Sequence, residues 1–245
     1  MLEFILENIF QIYYIVILLA IFISYISINF VEKLTKMERL YLLSCYVFSI
    51  FGMIIGAKVL SIAEVIIFNK NEYITIFSGF SYMGGVLGFI IFNKVYSLIY
   101  KSVPLKINNL ELLAVPLIYS ISKIACFKVG CCGGINNIPI QIIESIIYFI
   151  IFIVFGVLYK KYINCRSISN WCLICLCLSR FMVDFYRSER NGIFSNVTLT
   201  QIICGIIIVM CVIELCKMKQ QKIKRKIKII IQTIQTLKHQ QRQKM

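Results

Sequence analysis

Between residues 9 and 216 the chain is one long apolar run after another, separated by short turns that carry charge, glycine or proline. Nothing else constrains its fold as much. A segment of about 20 apolar residues is the length needed to cross the hydrocarbon core of a bilayer as a helix, because only a helix satisfies its own backbone donors and acceptors in lipid. Seven such segments stand out, approximately at 9–30, 40–68, 76–92, 110–127, 140–159, 171–187 and 198–216. The third and fourth are short and carry glycine or proline, so one of them is expected to be tilted or broken. With 60% hydrophobic and 15% charged residues the composition departs from that of a soluble globule in the same direction. The expectation is an all-α, polytopic membrane protein. The first apolar run follows Glu3 and Glu7 rather than a basic segment, so it reads as a span and not as a cleavable leader.

The cations decide the orientation. If the N-terminus lies outside, the inward turns hold Lys33, Lys36 and Arg39, then Lys94, Lys101 and Lys106, then Lys160, Lys161 and Arg166; the tail after Leu215 holds ten more. That is nineteen of the 26 Lys and Arg residues on one side. The positive-inside rule therefore predicts the N-terminus outside and the C-terminus in the cytoplasm. A net charge of +15 could suit nucleic acid, but these cations are dispersed between hydrophobic runs, and no nucleic-acid partner is expected. The eleven cysteines fall mostly inside apolar runs, as Cys45, Cys204 and Cys211 do. There they behave as small hydrophobes. Cys172, Cys175 and Cys177 open with a CxxC pair but have no second pair or histidine at ligand spacing, so no metal is expected.

Seven cations break the inside rule: Lys58, Lys70, Lys123, Lys128, Arg180, Arg187 and Arg190. Apart from Lys70 they lie in or beside the outer halves of spans, where an ionisable side chain costs about 2.5–3.5 kcal/mol and belongs against protein or a watery cavity. Lys58 could equally snorkel outward. Arg180, Asp184 and Arg187 stand at i, i+4 and i+7, which on a helix is one face, with Asp184 set to hold both arginines. Gln141 and Glu144, at i and i+3 behind Pro139, share a face of the next helix. Lys123 precedes the turn ACFKVGCCGG, and Gly84 and Gly85 begin a glycine-rich segment, SGFSYMGGVLG, fit for close helix or lipid contact. Two separate ion pairs, Arg180–Asp184 and Lys123–Glu144, would merely tie the bundle together. A pocket with net positive charge would hold an anionic lipid headgroup, since an arginine fork matches a phosphodiester with two hydrogen bonds. The single histidine, His239, is in the basic tail, which excludes a histidine base or a Ser-His-Asp triad.

At these residues the sequence resembles the prolipoprotein diacylglyceryl transferase family, from about Gly56 to Gln201. GAKVL is similar to the family's Gly-x-Arg-Leu stretch, and FSYMGGVLG to its aromatic-His/Tyr-Gly-Gly segment. SKIACFKVGCCGG resembles the Gly-Arg-x-Gly-Cys/Asn-Phe signature, PIQIIES the Pro-x-Gln-Leu-Tyr-Glu element and SRFMVDFYRSER the Arg-Phe-x-x-Glu-x-x-Arg element. The resemblance implies a cofactor-free transferase that moves the diacylglyceryl unit of phosphatidylglycerol to the lipobox cysteine thiol of lipoprotein precursors. It also implies roles: Arg180, Lys123 and Glu144 as catalytic residues, with Lys123, Arg180, Asp184, Arg187, Gln141, Gly84 and Gly85 binding phosphatidylglycerol. Glu144 would orient the cations or take a proton. The chain departs from the pattern at Lys58 and Lys123 (for Arg), Met83 (for His or Tyr), Ile143 (for Tyr), Leu176 (for an aromatic) and Asp184 (for Glu). Those departures keep two other readings in view, a membrane transferase with another lipid or acceptor and a non-catalytic lipid-binding relative.

The sequence divides into a transmembrane unit, 1–216, and a basic tail, 217–245, with ten cations, no acid and isoleucines at helical intervals. The tail reads as a topological anchor or as an amphipathic helix lying on the anionic inner leaflet.

Overall fold

The computed structural model describes residues 2–67, 80–100, 105–130, 133–162, 166–188, 192–194 and 197–243. It consists of helices α1 (Leu2–Val31), α2 (Lys36–Ile67), α3 (Tyr82–Ile99), α4 (Leu105–Leu112), α5 (Ala114–Val129), α6 (Ile140–Lys161), α7 (Arg166–Asp184) and α8 (Leu199–Gln243). A 3-10 turn at Ile135–Asn137 precedes α6, and strands β1 (Gly192–Phe194) and β2 (Val197–Thr198) pair antiparallel before α8. Among the described residues, six helical stretches are long and apolar enough to cross a membrane: α2, α3, α6, the 24 residues Lys106–Val129, Ser167–Asp184 and Leu199–Gln221. Ile15–Val31 of α1 is a shorter apolar helix beside them. The protein is thus an all-α, polytopic membrane protein.

Several spans differ in their limits from the sequence reading. The third starts at Tyr82 rather than 76 and runs on to Ile99; residues 68–79, including Lys70, lie outside the described part. The fourth is the broken one, divided at Leu113 into α4 and α5. Its cause is Pro116, which has no N–H to donate to the carbonyl of Leu112, so the chain closes a tighter turn through Leu113 N–H to Leu110 O, 3.1 Å. The sixth begins at Arg166 and ends at Asp184, three residues short of Arg187.

Glycine sets the closest packing. A Cβ on Gly56 would collide with the carbonyl oxygen of Gly84, and one on Gly88 with that of Gly52, so α2 and α3 meet backbone to backbone through two Gly-x-x-x-Gly patterns. Helices α5 and α6 are joined by a reciprocal pair, Ser120 Oγ to Ser145 O at 2.9 Å and Ser145 Oγ to Ser120 O at 2.8 Å. Along α7 and α8, Cys172, Cys177, Cys204 and Cys211 are buried in the common apolar core.

Ion pairs mark the two ends of the bundle. Lys106, at the start of α4, binds Glu38 at 2.7 Å and Glu32 at 3.3 Å, which gathers the end of α1 and the beginning of α2 at one end. The start of α2 is capped reciprocally: Thr35 N–H donates to Glu38 Oε2 at 2.9 Å, and Glu38 N–H to Thr35 Oγ1 at 3.3 Å. At the other end the close of α5, the start of α6, the close of α7 and the start of α3 come together, and there Lys123, Glu144, Arg180, Asp184 and Arg187 are buried as a group.

Candidate active site

Glu144 lies one turn into α6, about 6 Å from the helix start at 1.5 Å per residue, and is completely buried. Both its oxygens are occupied by cations. Lys123 Nζ and Arg187 Nη2 each approach Oε2 at 2.8 Å, and Arg180 Nη1 donates to Oε1. Tyr148, one turn further along α6, donates to the same Oε1 at 3.4 Å. The three cations are themselves buried, Lys123 and Arg180 at 3% exposure and Arg187 at 9%. Asp184 completes the group with Oδ1 at 3.7 Å from Arg180 Nη2. Three cations and two carboxylates leave one net positive charge.

Two details differ from the sequence reading. Arg187 is not on the helix face of Arg180 and Asp184. Helix α7 ends at Asp184, and the chain turns so that Tyr186 O accepts from Ile135 N–H at 2.9 Å and Ser188 N–H donates to Gly133 O at 3.1 Å. The isolated bridge between Arg187 and Gly134 thus delivers the guanidinium to Glu144 from outside the helix. Asp184 also does not sit between two arginines. Its Oδ2 accepts from Thr198 Oγ1 at 2.5 Å, which fastens the close of α7 to the start of α8. The two expected ion pairs are therefore one cluster with Glu144 at its centre.

Gln141 is buried on α6 one turn before Glu144. Gly84 and Gly85 are buried by neighbouring helices: a Cβ on Gly84 would strike Gly56 O, and one on Gly85 would lie 2.6 Å from Tyr119 Oη. Helix contact accounts for both glycines. Lys58 places its ammonium 5.2 Å from the centre of the Phe80 ring. In the turn after α5, Gly130 closes the helix with φ +75°. Cys131, Cys132 and Arg190 fall outside the described residues.

Sequence reasoning missed the aromatic wall. The ring of Tyr82 has Lys123 Nζ at 5.0 Å and Arg180 Cζ at 5.2 Å from its centre, so two cations of the cluster share one π system. Tyr148 stacks on it at 5.9 Å, and Tyr119 lies 3.9 Å away with its hydroxyl donating to Tyr82 O at 3.1 Å. Tyr82 is positioned by Ser81, whose N–H donates to Ala57 O at 3.0 Å and whose hydroxyl donates to Glu64 Oε1 at 3.1 Å. Its neighbour Met83 points its sulfur toward Cys204 Sγ, 3.9 Å away. A tyrosine at the first turn of a glycine-rich span was the available signal, overshadowed by the departure at Met83. Thr198 was legible too, as the first residue of a Thr-x-x-Gln capping box: Thr198 N–H donates to Gln201 Oε1 at 3.1 Å and Gln201 N–H to Thr198 Oγ1 at 3.2 Å.

The arrangement leaves donors unused. Among the described residues, the buried Nε atoms of Arg180 and Arg187 donate to nothing. A buried guanidinium with spare donors suits an anionic oxygen more than further apolar packing. A family model for prolipoprotein diacylglyceryl transferase matches residues 4–216.

The chain belongs to the prolipoprotein diacylglyceryl transferase family.

That match runs from α1 into the apolar part of α8 and ends where the basic tail begins. No curated protein and no solved structure matches the chain. Membership in the prolipoprotein diacylglyceryl transferase family makes it a transferase of lipoprotein biogenesis, embedded in a membrane by several spans.

Proposed function

We propose that the protein transfers the diacylglyceryl unit of phosphatidylglycerol to the lipobox cysteine thiol of lipoprotein precursors, at the outer leaflet of a bacterial plasma membrane. The observation that carries the reading is the buried cluster of Lys123, Arg180 and Arg187 on Glu144, with one net positive charge and two guanidinium Nε donors unused. A lipid phosphodiester is an anion of the size and geometry that such forks hold. Arg180 and Lys123 hold the phosphate in this reading, Arg187 adds charge, and Gln141 lines the same face of α6.

In the reaction the sulfur of the thiol attacks the terminal glycerol carbon of the diacylglyceryl unit. A C–S bond forms, the C–O bond to phosphate breaks, and its electron pair leaves on glycerol phosphate, which also accounts for the thiol proton in the overall balance. Negative charge grows on the departing phosphate, so fixed cations around it stabilise the transition state more than the ground state. The thiol belongs to the substrate and ionises near neutrality with modest help. Both oxygens of Glu144 are engaged by cations, which gives this carboxylate the task of holding Lys123, Arg180 and Arg187 at one point. Asp184 positions Arg180 and is itself held by Thr198. Residues 1–216 form the transferase unit in this proposal, with the tail outside it.

The test is transfer of labelled lipid from phosphatidylglycerol to a lipobox peptide in membranes containing the protein. Labelled thioether and free glycerol phosphate in equal amounts are the expected result. Saturable phosphatidylglycerol binding without thioether would instead establish a non-catalytic lipid-binding protein, the reading that Met83 and Lys123 favour. Transfer only from a different polar lipid would overturn the donor assignment.

A further inference from the structure

Helix α8 does not stop at the membrane. Its apolar span is Leu199–Gln221, yet the helix continues without a break to Gln243. The extension is about 33 Å long at 1.5 Å per residue. An in-plane helix on the leaflet would need a bend at the membrane surface, and the helix runs through Gln221 without interruption. A continuous helix favours something other than lipid as what covers its isoleucines.

Their spacing identifies what does. Ile223, Ile227, Ile230, Ile234 and Leu237 recur at intervals of four, three, four and three. That is the seam of a heptad repeat, with Ile227 and Ile234 at a and Ile223, Ile230 and Leu237 at d. We propose that the extension of α8 binds second and third copies of this chain as a parallel three-stranded coiled coil. Isoleucine at both a and d favours three strands over two, and Ile231 at e widens the apolar stripe in the sense a trimer requires. Parallel order follows from the membrane, since every copy emerges on the same face.

Several of the charges are kept off the seam. Lys222, Arg225 and Lys228 occupy c, f and b, away from the seam. In a parallel assembly a g residue faces the e residue five positions on in the next strand. Lys226 then faces Ile231 and Thr233 faces Lys238, leaving Lys219 opposite Lys224 as the like-charge contact, next to the bilayer surface. Five seam positions are few for a free peptide. Here the helix is already nucleated by its own span, and confinement to one membrane raises the effective concentration of its partners. The inference is independent of the transfer chemistry.

The experiment counts copies of the full chain, carrying one N-terminal dye, by stepwise photobleaching in dilute phospholipid vesicles. Three steps are expected for the wild type and one for the Ile227→Asn, Ile234→Asn double variant or for a chain ending at Lys219. Ile229→Asn, off the seam at c, is expected to keep three. A wild type that bleaches in one step or two, or a double variant that still bleaches in three, overturns the proposal.

Discussion

Lys123 and Arg187 reach the same oxygen of Glu144, each at 2.8 Å, although one side chain comes from α5 and the other from the turn beyond α7. Two like charges so placed tolerate one another only because the carboxylate lies between them. Removing it should do more than remove one bond. Glu144→Gln leaves three buried cations facing each other, and breaking a buried pair in this way destabilises by about 3–5 kcal/mol. Thermal unfolding in detergent should show the loss, and transfer should fall by about 100-fold or more at matched protein level. An unaltered melting temperature would remove Glu144 from the centre of the cluster.

Arg180 and Lys123 carry the same charge and should not be interchangeable. Arg180 spends Nη1 on Glu144 and keeps Nε free, which a lysine cannot imitate. Arg180→Lys should lower transfer by about tenfold to 100-fold, the worth of one or two charge-assisted hydrogen bonds. Lys123→Arg retains the charge and gains a fork, so its rate should equal or exceed that of the wild type. The decisive readout is initial rate at saturating phosphatidylglycerol, and a harmless Arg180→Lys would sink the clamp.

Tyr82 divides into a ring and a hydroxyl. If the ring seats the ammonium of Lys123 and the guanidinium of Arg180, Tyr82→Phe should keep most of the rate. Tyr82→Leu should lose about fivefold to 30-fold, equivalent to one or two cation–π contacts. A phenylalanine variant as poor as the leucine one would move the role to the hydroxyl. Rates for both are to be read against phosphatidylglycerol concentration, because a disordered phosphate seat raises the half-saturating concentration as well.

The α2–α3 contact makes a stability prediction that separates two glycines. Gly88 has no room for a side chain against Gly52, whereas nothing stands within 4 Å of a Cβ at Gly205. Gly88→Leu should abolish accumulation of folded protein in the membrane. Gly205→Ala should be neutral or stabilising by about 0.5–1 kcal/mol, since alanine is the better helix former. Membrane abundance and melting temperature check both.

Much of this was legible in the sequence because lipid leaves the backbone few choices. The run lengths located most spans, and short length with glycine or proline marked the third and fourth as the pair of which one breaks; the structure shows that it is the fourth. Helical periodicity was a poorer guide where a helix ends. Arg187 lies at i+7 from Arg180, but α7 stops at Asp184, and backbone pairing between Gly134 and Arg187 decides where the side chain goes. Such pairing depends on two segments distant in sequence and has no local signature. The same is true of Tyr82, whose contacts with Lys123 and Arg180 arise from three different helices. The glycines were legible as places of close approach, to a helix or to lipid, and Gly84 on Gly56 is an approach between helices.

The reciprocal serines of α5 and α6 bear on how the chain enters the bilayer. Ser120 and Ser145 lock two helices that are consecutive in the chain, three residues before Lys123 and one after Glu144, and the pair they align is electrically neutral. These two helices can therefore leave the insertion machinery as a hairpin whose opposite charges already cancel, sparing each the roughly 2.5–3.5 kcal/mol of entering hydrocarbon alone. The arginines of α7 and its following turn are made later and find a carboxylate waiting. The excess positive charge, and with it the ability to hold a phosphate, comes into being only when the last part of the bundle is in place.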